Sequence, residues 1–183
     1  MRKAPSSPNA MDRSTTLPDI FFRALLAALA LLCAAPAASA ERFVAIVTHV
    51  TDGDTLWVRR HAQAAPIQLR LDGMDAPEIC QAHGPTARAA LAGLVLHRTV
   101  VVTIRARDRF ERSIARVRLS GDDAGRWMVR HGHAWSHRFR RSGGPYAAEE
   151  ALARGGRQGL WAQPAPLDPR LFRKSHGACA HSG

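Results

Sequence analysis

Apolar and polar residues alternate in several stretches of the chain, and each stretch predicts a strand. Arg42–Val50 is rich in Val, Ile, Phe and Thr, residue types that suit a half-buried pleated surface. Thr55–Arg60 follows as its hairpin partner across Asp52-Gly53, a dipeptide that reverses a chain tightly. A loop at His61–Pro66 leads into Pro66–Leu71, where the alternation is cleanest. Ile67, Leu69 and Leu71 face a core there, while Gln68 and Arg70 face the other way. Thr99–Arg107 and Ser113–Leu119 are two further strands, with Arg105, Arg107, Asp108 and Arg109 in the charged connection between them.

Elsewhere the period lengthens to that of a helix. Gly84-Pro85 opens one, with Ala87, Ala90, Leu91, Leu94 and Val95 on its apolar side. Asp122 and Asp123 cap a short helix that reaches His131, with Gly132 just beyond its end. Pro145 or Tyr146 starts a third, which runs through Arg154 and stops at Gly155-Gly156. After Trp161 the composition turns proline-rich, and residues 164–183 read as an irregular tail.

Residues 1–40 stand apart from this pattern. Arg13 and Arg23 precede an apolar run from Ala24 to Ala35, and Ala38-Ser39-Ala40 offers small residues before Glu41. This is the pattern of a secretory signal peptide; the run is short for a membrane span and Pro36 breaks it. The polar segment before Ile20 is long for such a signal, and Met11 is an alternative start. The expectation is an exported protein, periplasmic or secreted, monomeric and without stable membrane association once the signal is cleaved. Residues 41–163 then form a single domain.

The formal net charge is +11, from 26 Lys plus Arg against 15 Asp plus Glu. Losing residues 1–40 takes those totals to 22 and 13, which leaves +9. A basic surface favours an anionic partner such as nucleic acid. Lysine occurs only at Lys3 and Lys174, a bias that a GC-rich genome explains as well as selection for phosphate-binding guanidinium groups. Arg112, Arg116 and Arg118 share one face by period two, which gives either a stripe that tracks a phosphate backbone or a charged, protected edge.

The candidate chemistry lies between Asp52 and Glu78. Asp54 and Asp75 offer oxygen ligands to a hard cation such as Ca²⁺. Glu78 is placed to orient or deprotonate a water, and Arg70 to clamp a phosphate with its planar fork. Together these residues suit phosphodiester hydrolysis.

The same residues carry a family resemblance. Val50-Thr51-Asp52-Gly53-Asp54-Thr55-Leu56 and Arg70-Leu71-Asp72-Gly73-Met74-Asp75-Ala76-Pro77-Glu78 resemble the thermonuclease (staphylococcal nuclease-like) family. Gln81, Gly84 and Ala87, then Asp108-Arg109-Phe110-Glu111-Arg112, Met128 to Trp135 and Gly159-Leu160-Trp161 continue the match. It implies an α+β fold, an OB-like five-stranded β-barrel with about three α-helices, and calcium-dependent cleavage of DNA and RNA. It implies that Asp54, Asp75 and the Ala76 carbonyl hold calcium. Glu78 matches the family's catalytic glutamate, and Arg70 and Arg112 its two phosphate-facing arginines.

Two departures stand out. The family usually has Gly where this chain has Glu111, and Gly alone reaches positive φ without steric cost; Glu111 is also placed to pair with Arg112 or Arg109. Trp135, His137, Arg138 and Phe139 replace a region where relatives present tyrosines, so base stacking falls to Trp135 or Phe139. Other classes remain open: a zinc or copper site on His131-x-His133-x3-His137 in a His-rich periplasmic protein, or an inactive OB-type binding module. Signal removal leaves two cysteines, Cys80 and Cys179, in an oxidising compartment. An intramolecular bond is the expectation; two free thiols or an intermolecular bridge are the alternatives.

Overall fold

The computed structural model describes residues 40–137, 142–177 and Cys179. The signal-peptide reading of residues 1–40, all but Ala40, and the stacking reading of Phe139 therefore lie outside the described residues. Ala40–Gly183 is a unit of its own. Its strands are β1 (Arg42–Val50), β2 (Thr55–Arg59), β3 (Ile67–Leu71), β4 (Met74–Asp75), β5 (Thr99–Arg107), β6 (Ser113–Leu119), β7 (Asp122–Asp123) and β8 (Trp135–Ser136). Its α-helices are α1 (Gly84–Val95), α2 (Ala124–Arg130), α3 (Ala147–Gly155) and α4 (Pro169–His176), with a 3₁₀ turn at Gly159–Ala162.

Antiparallel pairing runs β3-β2-β1-β5-β6. A parallel contact, from Leu69 opposite Ser113 to Leu71 opposite Ala115, joins β3 back to β6 and closes a five-stranded barrel. Closure removes the free edges that a sheet would otherwise expose. The alternation predicts the interior correctly: Val47, Leu56, Val58, Leu69, Val102 and Val117 are fully buried, while Gln68 and Arg70 face out of the core. α1 seals one end of the barrel with Ala87, Leu91 and Val95, and α2 adds Met128 and Val129. Asp123 caps α2 by accepting from Arg126 N at 3.0 Å. The architecture is the α+β, OB-like barrel that the resemblance implies.

Two features differ from the sequence reading. The tail is not wholly irregular, because it contains α4. Asp168 caps that helix, accepting from Arg170 N at 2.8 Å, and Pro169 occupies its first turn, a start signal that the proline-rich composition masked. The second feature is the two-residue pairing of β4 with β8, which sets Asp75 opposite Trp135. Glu150 supports it by accepting from Ser136 N at 2.8 Å. Trp135 is accordingly buried against Trp161, with ring centroids 5.2 Å apart. It belongs to the core and is not a base-stacking platform.

Candidate active site

Two chain reversals bring the acidic residues together. In the β1–β2 connection, Asp52 Oδ1 accepts from Asp54 N at 2.9 Å and Thr55 N at 2.7 Å. A side chain standing in for a backbone turn is a usual role for Asp. Gly53 serves close packing there, since an added Cβ would sit 2.7 Å from Ala76 Cβ and 2.8 Å from Ala87 Cβ. After β3, Gly73 turns the chain at φ 81° and its carbonyl accepts from His137 N at 2.8 Å. This turn folds Asp75 back over Arg70.

Arg70 is the bridge between the two acids. Its Nη1 lies 2.6 Å from Asp54 Oδ1 and its Nη2 2.7 Å from Asp75 Oδ1. Both carboxylates are almost wholly buried. Burial pushes the Asp54 carboxyl up to about 7, with Arg70 opposing the shift and Asp52 and Asp75 adding to it. Burial also works against the Arg70 charge, but Asp54 and Asp75 outweigh it and strengthen its hold on its proton.

Asp54 and Arg70 line an open cleft of about 660 Å³, which also takes in Ala76, Glu78, Arg112, Phe110 and Arg173, while Asp75 stands behind Arg70. Glu78 stands on the loop before α1. Its backbone N donates to Gln81 Oε1 at 3.1 Å, and its carbonyl accepts from Gln81 N at 2.8 Å. Gly84 lets α1 approach, because any Cβ there would collide with the Glu78 carbonyl.

Arg112 enters from the β5–β6 connection. Glu111 takes φ 61°, the left-handed conformation that the missing glycine foretells. Arg112 nevertheless reaches the cleft, because Asp108 organises the turn: Oδ1 accepts from Phe110 N and Arg112 N, and Oδ2 from Arg112 Nε at 2.8 Å. Burial raises the Asp108 pKa, but the hydrogen bonds from Arg112 and the two amides together hold it below its ordinary value. The arginine's partner is thus Asp108 rather than Glu111. Along the same strand, Arg116 pairs with Asp72 at 3.5 Å instead of lying free for a backbone.

The donor set suits a hard cation. Buried carboxylates at Asp54 and Asp75 adjoin the backbone at Ala76, whose N donates to Asp54 Oδ2 at 3.2 Å. A cation there favours the ionised Asp54 carboxylate that burial disfavours. Among the described residues no three His, Cys, Asp or Glu side chains converge as a metal-binding cluster. The histidines of the 131–137 spacing thus do not converge as such a cluster. His131 stacks on Trp127 with centroids 4.1 Å apart and His137 is exposed. His133 Nδ1 instead meets His83 Nε2 at 3.2 Å, a pairing invisible in the 131–137 spacing.

Sequence reasoning also missed Arg173. From α4 it places Nη2 2.9 Å from Asp75 Oδ2 and Nη1 2.6 Å from Glu78 Oε1. Burial opposes its charge, but these hydrogen bonds outweigh that and raise its pKa. Cys80 and Cys179 are joined beside it, with their Cα atoms 5.8 Å apart.

The fold and site thus define a closed five-stranded barrel with an arginine–carboxylate cleft. Residues 68–163 match the family model of staphylococcal nuclease homologues. Protein ParB of Escherichia coli is 39% identical over 159 residues, covering 81% of this chain and 88% of that protein. A micrococcal nuclease of Shigella flexneri is 34% identical over 168 residues, covering 84% and 92%. An uncharacterized endonuclease of Haemophilus influenzae is 33% identical over 140 residues, covering 75% and 77%. The chain belongs to the staphylococcal nuclease homologue family, and its enzyme class is nuclease.

Proposed function

We propose that this chain is an exported, calcium-dependent nuclease that hydrolyses phosphodiester bonds of DNA and RNA. The observation that supports the reading best is the Arg70 bridge between Asp54 and Asp75, with Arg70 and Asp54 lining the cleft. A guanidinium fork already spanning two carboxylates is preorganised to take a phosphate between itself and a cation.

Asp54, Asp75 and the Ala76 carbonyl hold calcium in this reading. When bound, the ion supplies Lewis-acid polarisation of a phosphoryl oxygen and orders a water. Glu78 orients that water and accepts its proton as the water oxygen bonds to phosphorus. Arg70 and Arg112 donate to the oxygens on which charge accumulates in the pentavalent transition state. The P–O bond to the leaving group then breaks, and Arg112 assists the departing oxygen. Arg109 lies over the ring of the exposed Phe110, 4.8 Å from its centroid, which adds an aromatic–cationic surface beside the phosphate groups. Export rests on the leader pattern and accords with a bonded cysteine pair, since such pairs persist in oxidising compartments.

The test is incubation of the purified mature chain with single- and double-stranded DNA and RNA, with Ca²⁺, Mg²⁺, Zn²⁺ or excess chelator. Cleavage with calcium, abolished by chelator, is the expected result. Full activity in chelator overturns it.

A further inference from the structure

The segment after the family-matched domain converges on the catalytic loop at three points. Gln81 Nε2 donates to the Leu167 carbonyl at 2.6 Å. Cys80 is bonded to Cys179. Between those anchors, Arg173 donates to both oxygens of Asp75 and to Glu78. Both oxygens of Asp75 are thereby engaged. Its Oδ1 accepts from Arg70 at 2.7 Å and from Arg173 at 3.3 Å, and its Oδ2 from Arg173 at 2.9 Å.

Little else holds α4 in place. Pro169 is its only buried residue, and Leu171 is 54% exposed. A cavity of about 270 Å³, lined in part by Trp135, Leu160 and Phe172, lies alongside it. Eight residues are too few for a stable helix in isolation. The covalent link instead keeps Arg173 at high local concentration over the acids, so that its binding there is intramolecular.

We propose that α4 is an autoinhibitory latch: Arg173 acts as a tethered cation that occupies Asp75 and Glu78 and competes with the divalent cation for Asp75. The inference rests on the calcium reading of the cleft. Arg70 holds Asp75 by Oδ1, whereas Oδ2 is held by Arg173, so calcium ligation through Oδ2 requires Arg173 to withdraw. Withdrawal also frees Glu78 to meet a water. Arg70 differs, because it is fixed on β3 inside the barrel's hydrogen-bond ladder, whereas Arg173 sits on an element that can leave as a unit.

The test is calorimetric titration of calcium, without nucleic acid, into the full chain made under oxidising conditions. Wild type is compared with Arg173→Ala, Arg173→Lys and the double variant Cys80→Ser/Cys179→Ser. Arg173→Ala is expected to bind calcium on the order of fivefold more tightly. Arg173→Lys should stay near wild type, and the untethered double variant should fall between wild type and Arg173→Ala. Hydrogen exchange over residues 169–176 of the wild type should quicken when calcium is added. Equal calcium affinity in wild type and Arg173→Ala overturns the latch. So does a loss of kcat/KM in Arg173→Ala at unchanged calcium affinity, which makes Arg173 a phosphate clamp. Absence of calcium binding in every variant instead removes the calcium reading, and the latch with it.

Discussion

Arg112 owes its position to Asp108, whose Oδ2 accepts from the Arg112 Nε at 2.8 Å while its Oδ1 gathers the intervening amides. The turn therefore tolerates Glu111 at φ 61°, a conformation that costs a side-chain-bearing residue roughly 1–2 kcal/mol. Glu111→Gly is expected to stabilise the fold by about 1 kcal/mol, part of the relief being offset by the greater chain entropy of glycine. Activity should be equal or higher. Urea denaturation and nuclease assays check both, and a marked loss of activity would mean that Glu111 itself serves the site.

Asp108→Asn should act in the opposite direction. It removes the charge that faces Arg112 but keeps an acceptor for the turn amides. Activity should fall severalfold while stability changes by less than about 1.5 kcal/mol, the scale of a single hydrogen bond. An unchanged kcat/KM would show that Arg112 needs no positioning partner.

The cleft residues divide the work. Arg70→Ala should remove roughly 3 kcal/mol of transition-state stabilisation, the scale of a donor aimed at developing charge. Glu78→Gln should lower kcat while leaving the Kd for DNA nearly intact, because the substituted side chain fills the same space. Steady-state kinetics beside equilibrium binding separate the two effects. Wild-type turnover in Glu78→Gln would end the proposed role of that carboxylate.

The strands were legible because the barrel buries one face of each, and burial of one face writes itself as period two. Arg70 was legible for the same reason, since its position on β3 sends it away from Leu69 and Leu71. Arg173 was not. Nothing local marks it, and it reaches Glu78 from 95 residues away only because the chain after Trp161 returns to the cleft. The His83–His133 pair was hidden likewise, as its members are 50 residues apart. Trp135 was misread because an aromatic in a loop-like stretch looks available for stacking, while the pairing of β4 with β8 buries it.

That histidine pair makes stability depend on pH. Burial, and then the charges of His83 and His131, depress the His133 pKa from 6.5 to about 4. Burial lowers His83 as well. Below pH 6.5 the unfolded chain takes up a proton that the folded chain refuses until about pH 4, so folding is disfavoured increasingly across that window. The contribution is fully present above pH 6.5 and is lost on acidification. Thermal midpoints of wild type and His133→Gln should converge or cross as the pH falls from 7 to 4. A constant difference between them would exclude this linkage.

The last prediction concerns Glu150, which is buried and supports Asp75 through β8. Its Oε2 accepts from Ser136 N, and its Oε1 from Arg154 Nε, both at 2.8 Å. Arg154 in turn lies 3.6 Å from the Trp161 ring centroid, and Trp161 packs on Trp135. Through Ser136 and Trp135 this group holds β8, and β8 pairs with the strand that carries Asp75. Breaking a buried ion pair costs about 3–5 kcal/mol. The Arg154 side chain is 45% exposed, so water recovers part of that, and Glu150→Ala should cost about 2 kcal/mol. Calcium affinity should fall as well, since Asp75 loses the partner of its own short strand. Glu150→Gln keeps an acceptor for Ser136 N and should restore most of the calcium affinity while recovering less of the stability. Chemical denaturation read beside calcium titration checks this order. An Ala variant that is destabilised but binds calcium as wild type would show that the barrel alone positions Asp75.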